Sequence, residues 1–337
     1  MTLPDLQDAL KQLKLPAYRA KQIIEWMYQK HVLTFADMTN LPLPLRAQLA
    51  DKFVIFRADA VDQQTSTDAR TSKFLLAFAD GVAVETVLMR QPYGNTICVS
   101  TQAGCNMGCA FCASGLNGMV RNLTAGEILA QALFISELLQ KEEQRINNVV
   151  IMGSGEPMAN YDNVLAFVRL AHEKYCLDMG YRNVTISTSG IVPQIEQLVQ
   201  ENLPLTLSIS LHAPNNTLRS QLMPINDKFP IEKVVQAGAF YANETKRRVT
   251  YEYILIAGIN DQPEQARELA ALLRGQMASI NLIPINPVVE KGFKRPAENQ
   301  VKLFEEILTK HHMVVTVRRE MGNDIQAACG QLRNKHL

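Results

Sequence analysis

No apolar run in this chain of 337 residues reaches the length of a membrane span. Its start, Met1-Thr-Leu-Pro-Asp5, lacks a basic stretch followed by an apolar core, so no export signal is expected and a cytoplasmic location is the default. Charge of one sign is also missing. The formal net charge is +1, and the field of the whole molecule does not mark a nucleic-acid binder. Basic residues instead fall in local groups: Lys246-Arg247-Arg248, Arg318-Arg319, Lys291 with Lys294-Arg295, and Arg333 with Lys335. Each group can meet phosphates or simply end a solvated strand. Repeats, low-complexity tracts and long linkers are absent. With six cysteines in a chain expected to be cytoplasmic, a disulfide scaffold is excluded.

What is present is an ordinary globular composition, 47% hydrophobic and 20% charged, sufficient for one large α/β domain with a small appendage. Three of the cysteines lie inside eight residues, Cys105-Asn-Met-Gly-Cys109-Ala-Phe-Cys112. This spacing folds a short loop whose thiolates converge. Three convergent thiolates suit a [4Fe–4S] cube held at three irons, with the fourth open to a non-protein ligand. A structural zinc ion needs a fourth donor, and none follows at finger spacing. Simple packing of reduced cysteines fits poorly, because Gly104 and Gly108 mark a loop rather than a core element. Of the others, Cys176 is assigned to structure. Cys98 and Cys329 are either incidental buried thiols or a working pair. The small residues around Cys329 predict an exposed, mobile segment.

Residues 1–50 read as a small helical unit. Leu3, Leu6, Leu10 and Leu13 recur at helical spacing, Tyr18, Ile23, Trp26 and Met27 mark a second helix, and Leu45 with Leu49 a third. Residues 51–95 hold a predicted hairpin, Lys73–Phe78 and Val82–Leu88 about Asp80-Gly81. Glu85 interrupts its apolar second strand, and pattern alone places that carboxylate in solvent. From 96 to 320 strands and helices alternate. Strands are predicted at 96–101, 147–152, 182–187, 204–211, 248–256, 279–284 and 313–318, with helices near 124–141, 161–175, 192–201, 231–243, 262–274 and 297–311. The first of these helices opens on the capping box Thr124-Ala-Gly-Glu127. Strands with little alternation are covered on both faces, and right-handed crossovers curl such a sheet into a barrel or part of one. The expected fold is α/β, a partial (βα)6 TIM-like barrel, with residues 321–337 as a C-terminal segment.

In such folds the site gathers at the C-terminal strand ends. Here those ends are the cysteine loop, Gly153-Ser-Gly-Glu-Pro157, Ser187-Thr-Ser-Gly190, Ser210-Leu-His212 and Pro284-Ile-Asn286. Each is small or polar just after an apolar run. Gly153 and Gly155 can admit a ligand to the backbone, Glu156 can accept from an ammonium, and Ser187, Ser210 and Asn286 can serve hydroxyls and a carboxylate. His212 alone is as well explained by an ordinary hydrogen bond.

The cysteine loop resembles the signature of radical S-adenosylmethionine enzymes. Together with Cys98-Val-Ser-Thr-Gln-Ala-Gly-Cys105, Gly153-Ser-Gly-Glu-Pro157 and Asp324-Ile-Gln-Ala-Ala-Cys329-Gly-Gln-Leu332, it is similar to the RlmN/Cfr family over nearly the whole chain. The stretch Tyr18–Tyr28 resembles the family's N-terminal accessory domain, whose Arg19, Lys21 and Lys30 would face RNA. The resemblance implies a [4Fe–4S] cluster on Cys105, Cys109 and Cys112. It also implies S-adenosylmethionine, two per turnover, contacted by Gly155, Glu156, Ser187, Ser210, Leu211, His212 and Asn286. One departure is Ser154, where the family usually has Met. Cys329 would be methylated, lose a hydrogen to a 5′-deoxyadenosyl radical and add to an adenine carbon. Glu85 would accept the displaced proton, overriding the solvent placement. Cys98 would then resolve the adduct, leaving a transient Cys98–Cys329 disulfide. Implied partners are 23S rRNA, tRNA and an external electron donor such as flavodoxin, with the chain a monomer and no membrane involved. Carbon 2 is the expected position, favoured by the Trp26-Met-Tyr28 helix. A Cfr-like carbon-8 enzyme is the alternative within the family, and a zinc-stabilised RNA-binding module closed by Cys98 is the alternative outside it.

Overall fold

The computed structural model describes residues 1–55, 57–319 and 321–333. Of the basic residues singled out above, Lys335 lies outside them. The strands are β1 Asp59–Thr65, β2 Thr71–Ala77, β3 Ala83–Gln91, β4 Gly94–Cys98, β5 Gln102–Gly104, β6 Met119–Asn122, β7 Ile146–Ile151, β8 Val184–Thr188, β9 Thr206–Ser210, β10 Val249–Leu255, β11 Ala278–Pro284 and β12 Val315–Val317. The helices are α1 Leu3–Gln12, α2 Arg19–Tyr28, α3 Leu43–Lys52, α4 Ala125–Gln140, α5 Tyr161–His172, α6 Val192–Gln200, α7 Asn216–Leu222, α8 Ile231–Thr245, α9 Pro263–Leu272 and α10 Glu298–Lys310.

One large sheet runs β1-β2-β3-β4-β7-β8-β9-β10-β11-β12. From β4 to β12 every neighbouring pair is parallel. These are the seven strands expected from the apolar runs, and together they form the partial α/β barrel. The α4 capping box is present, with Thr124 Oγ1 accepting from the Glu127 N–H at 3.3 Å and Glu127 returning to the Thr124 N–H at 2.7 Å.

The predicted hairpin is β2–β3, closed by the three-residue turn Ala79–Gly81 with Gly81 at φ +82°. It pairs antiparallel with β4 and so prolongs the barrel sheet. Outside it lies β1, a wholly exposed edge strand rich in Asp and Gln that apolar patterning cannot reveal. The N-terminal helices bury Leu6, Leu10, Ile23, Ile24 and Leu49 in the same apolar cluster as the barrel core. Each such side chain contributes about 1.5–3 kcal/mol of burial.

Candidate active site

The cysteine loop leaves β4 through Val99–Thr101 and is pinched at its base by the two-stranded sheet of β5 and β6. Gly104 sits at φ +79° in that pinch. A Cβ there would lie 1.9 Å from the Gly118 carbonyl oxygen, so the loop closes only over glycine. Beyond it Cys105, Cys109 and Cys112 line one cavity of about 140 Å³ together with Gly155, Glu156, Ser187, Ser210 and His212. The three cysteines and five of the seven expected cofactor contacts are thus brought to one place. Leu211 is not on that wall. It is fully buried, its N–H donating to Glu252 O at 3.0 Å and its carbonyl accepting from Arg219 Nε at 3.3 Å.

Asn286 stands at the end of β11 on the wall of a second, larger cavity of about 750 Å³. Its Oδ1 is buried without a partner, an acceptor awaiting a donor. The larger cavity is also lined by Cys98, Arg295, Arg318 and Arg319. The two cavities share Met152, Ile283 and Cys329. Cys329 is therefore exposed to the cluster cysteines on one side and to Cys98 on the other.

Glu156 is held firmly. Oε1 accepts from Thr188 Oγ1 at 2.7 Å and the Met158 N–H at 3.0 Å, and Oε2 from the Ser189 N–H at 2.7 Å. Burial raises its pKa while these donors pull it down. The Ser189 side chain donates to it as well, so its roughly four acceptor positions are met by Thr188, Met158 and Ser189 on the cavity wall. Thr188 and Ser189, which position it, were not singled out from the sequence, although both lie in the predicted strand-end motif.

Gly155, at φ +104°, is needed for a different reason from the one expected. A Cβ there would meet Gln102 Cβ at 2.6 Å, and one on Gly153 would meet Ser100 Oγ at 2.6 Å. Both glycines let neighbouring protein approach closely while they line the cavity. Ser154 donates to Gly104 O at 3.3 Å and is not among the residues that line the cavity.

His212 adopts φ +61°, and its Nδ1 accepts from the Ile254 N–H at 3.0 Å. Burial, reinforced by Arg219, lowers its pKa to about 3. The ring is neutral, and its proton sits on Nε2.

One expectation fails, that of an exposed Cys329 segment, and for Glu85 the placement by pattern alone gives way to the one the resemblance implied. Glu85 is not in solvent but 8% exposed, on the β3 face that also carries Val87 and Met89 of the larger cavity. Its Oε1 lies 2.9 Å from Lys73 Nζ, and its Oε2 accepts from the Arg333 N–H. Nor does Cys329 lie on an exposed segment. Ala327, Ala328 and Leu332 are buried, Gly330 O accepts from the Ala113 N–H at 2.8 Å, and Leu332 O from Ser114 Oγ at 2.7 Å. The C-terminal segment thereby covers Glu85 and docks on the cluster loop. All six cysteines are free thiols, so the Cys98–Cys329 disulfide implied by the resemblance is not formed here.

Charge around Cys329 is arranged in layers. Burial pushes its thiol pKa up, and the Arg318 guanidinium, hydrogen-bonded to it, pulls it back. Glu252 and Cys98 lie within the same field, and Arg318 is held cationic chiefly by Cys329 and then by Glu252. The cluster-loop thiols differ. Burial raises Cys105 to about 11, and burial plus the other two thiols raises Cys109 further. Such thiols ionise when a positive core binds them. Among the described residues no three His, Cys, Asp or Glu side chains gather closely enough to enclose a single ion. The three cysteine donors, the buried Glu156 carboxylate on the same wall and the unpartnered Asn286 oxygen in the adjoining cavity fit a [4Fe–4S] cluster with a sulfonium amino acid beside it.

A partial α/β barrel with three loop cysteines gathered at its strand ends defines a radical S-adenosylmethionine enzyme, and the radical SAM superfamily model matches residues 99–270. Enzymes of this superfamily bind a [4Fe–4S] cluster and S-adenosylmethionine. The model of the ribosomal RNA large subunit methyltransferase N-terminal domain matches residues 1–55. A protein of Symbiobacterium thermophilum named probable dual-specificity RNA methyltransferase RlmN is 52% identical, over 99% of this chain and 90% of that protein. A protein of the same name from Geobacillus thermodenitrificans is 48% identical, over 99% of this chain and 92% of that protein. The crystal structure of a radical SAM methyltransferase from Sphaerobacter thermophilus superposes with a TM-score of 0.96 at 44% identity, covering 98% of this chain and 97% of that one. The chain belongs to the RlmN family of radical S-adenosylmethionine methyltransferases.

Proposed function

We propose that this enzyme methylates carbon 2 of an adenosine in 23S rRNA and in tRNA through a methylated Cys329 and a transient protein–RNA adduct. The supporting observation is the position of Cys329 on the wall common to two cavities, with cluster cysteines on one side and Cys98 on the other. A thiol so placed can receive a methyl group on one side and deliver it on the other.

Cys105, Cys109 and Cys112 would hold the cluster, and Glu156, Ser187, Ser210, His212 and Asn286 would hold S-adenosylmethionine, with Gly155 on the wall and Leu211 buried behind it. Together these groups, when bound, supply a methyl donor and a 5′-deoxyadenosyl radical. The protein's share begins with Cys329. Paired with Arg318, it would lose its proton to solvent, attack the methyl and become a thioether, with S-adenosylhomocysteine as the leaving group. After hydrogen loss its methylene would bond to carbon 2; the surplus electron of that adduct would return to the oxidised cluster, and Glu85 would take the proton released from carbon 2. Cys98 then attacks the Cys329 sulfur; the electron pair of the broken sulfur–carbon bond stays with the methylene, which takes the Cys98 proton and becomes the methyl group, and the disulfide left behind is reduced by an external thiol. The larger cavity, with Arg295, Arg318 and Arg319 on its wall, is of a size and polarity to take a nucleobase with its phosphates outside. Within this proposal the helices of residues 1–50 contact RNA, flavodoxin or a similar donor reduces the cluster, and the chain acts as a monomer. Among the described residues no helix is long and apolar enough to cross a membrane.

The test uses two variants with an anaerobic rRNA fragment. Cys98→Ala should accumulate protein covalently joined to RNA, and Cys329→Ala should keep its cluster yet transfer no methyl. Full methylation by Cys329→Ala would end the proposal.

A further inference from the structure

The buried arginine Arg219 takes no part in the chemistry above. It lies on α7, is 0% exposed, and its guanidinium meets only neutral oxygens. Nε donates to Leu211 O at 3.3 Å, Nη1 to Asn226 Oδ1 at 3.0 Å and Phe229 O at 3.2 Å, and Nη2 to Ser189 O at 2.6 Å and Ser210 O at 3.3 Å. Its hydrogen bonds are satisfied and its charge is not: no carboxylate among the described residues pairs with it. An isolated buried cation is costly unless an anion stands nearby.

The anion can be located. The helix bearing Arg219 is tied to the cluster loop by the Ala110 N–H, which donates to Leu222 O at 2.9 Å, and Cys109 packs against the apolar cluster that contains Leu222 and Met223. Ser189 and Ser210, whose carbonyls receive Nη2, line the cavity of the three cysteines. Cys109 is also the one group whose field opposes the effect of burial on Arg219.

We propose that Arg219 is the electrostatic counter-charge of the cluster and sets its reduction potential. Three thiolates around an iron–sulfide core form an anionic assembly, and each added electron makes it more negative. A fixed cation in this low-dielectric site stabilises the reduced form more than the oxidised one. The guanidinium thus raises the midpoint potential and makes the cluster easier to reduce. Its five neutral acceptors hold it in place without cancelling the charge. The inference rests on the cluster reading alone and not on the identity of the RNA or the methylated carbon.

The experiment is an EPR-monitored redox titration of the reconstituted full-length holoenzyme without RNA, with iron content and far-UV circular dichroism as controls. Arg219→Gln, which removes the charge, should shift the midpoint to more negative potential at equal iron content. Arg219→Lys, which keeps the charge, should stay near the parent value. Asn226→Asp keeps the arginine and sets a carboxylate against Nη1, and it should shift the midpoint in the same direction as Arg219→Gln. This variant decides the matter if Arg219→Gln does not fold or does not hold iron. Unchanged potentials in Arg219→Gln or Asn226→Asp, or a shift equally large in Arg219→Lys, would reduce Arg219 to a clamp on the strand ends. Absence of iron from the parent protein would instead remove the cluster reading itself.

Discussion

The buried ion pair between Lys73 and Glu85 offers a test that separates chemistry from architecture. Lys73 Nζ and Glu85 Oε1 lie 2.9 Å apart, with side chains 8% and 9% exposed, and Lys73 also donates to Gln326 O at 3.3 Å. Removing one partner of such a pair leaves a charge in the interior and costs about 3–5 kcal/mol, whereas replacing both with apolar groups is often neutral or stabilising. Lys73→Met should therefore cost about 3–5 kcal/mol in anaerobic urea denaturation, read as a lower midpoint at constant slope. Lys73→Met with Glu85→Leu should recover most of that loss. Turnover should not recover with it, because the proposed proton acceptor is gone. A stable and inactive double variant would establish that Glu85 is kept for the reaction. Two results would refute the reasoning: a loss below about 1 kcal/mol in Lys73→Met, as for an exposed pair, or unchanged turnover in Glu85→Gln.

Gly104→Ala forces a Cβ against the Gly118 carbonyl at φ +79°. The backbone strain alone is about 1–3 kcal/mol, so the cysteine loop should open, and iron per protein should fall while far-UV circular dichroism keeps the barrel signal. His212, with its pKa lowered to about 3 from an ordinary 6.5, binds fewer protons folded than unfolded between those values. Stability should therefore decline by about 1.4 kcal/mol per unit as pH falls from 6.5 towards 3, and His212→Asn should flatten that part of the denaturation profile. An equally steep profile in the variant would place the acid sensitivity elsewhere.

Much of this arrangement was legible because local chemistry dictated it. The parallel strands announce themselves as apolar β-branched runs, Val149-Val-Ile-Met152 among them, since both faces are covered. Cysteine spacing marks the cluster loop, and polar residues just past each strand mark the cavity wall. Strand pattern alone misplaced Glu85, which only the resemblance put at the site, because the element that covers it, the segment around Gln326 and Arg333, lies some 250 residues away in sequence. The same long-range packing buries the surroundings of Cys329, whose small neighbours read as a loose tail. The edge strand β1 carries no apolar signature at all. Helix α7 escaped notice at seven residues, although Asn215, whose Oδ1 caps it by accepting from the Leu218 N–H at 3.0 Å, is a start signal in the sequence. Arg219 within it looks like any surface arginine until the fold closes over it.

The central claim, that Cys329 relays a methyl group to carbon 2 of adenine, is tested most directly by mass spectrometry of nucleosides from a 23S rRNA fragment. The fragment would be incubated anaerobically with reconstituted enzyme, reductant and S-adenosylmethionine. The expected product is 2-methyladenosine, formed together with 5′-deoxyadenosine. 8-Methyladenosine, or methylation without any 5′-deoxyadenosine, would contradict it.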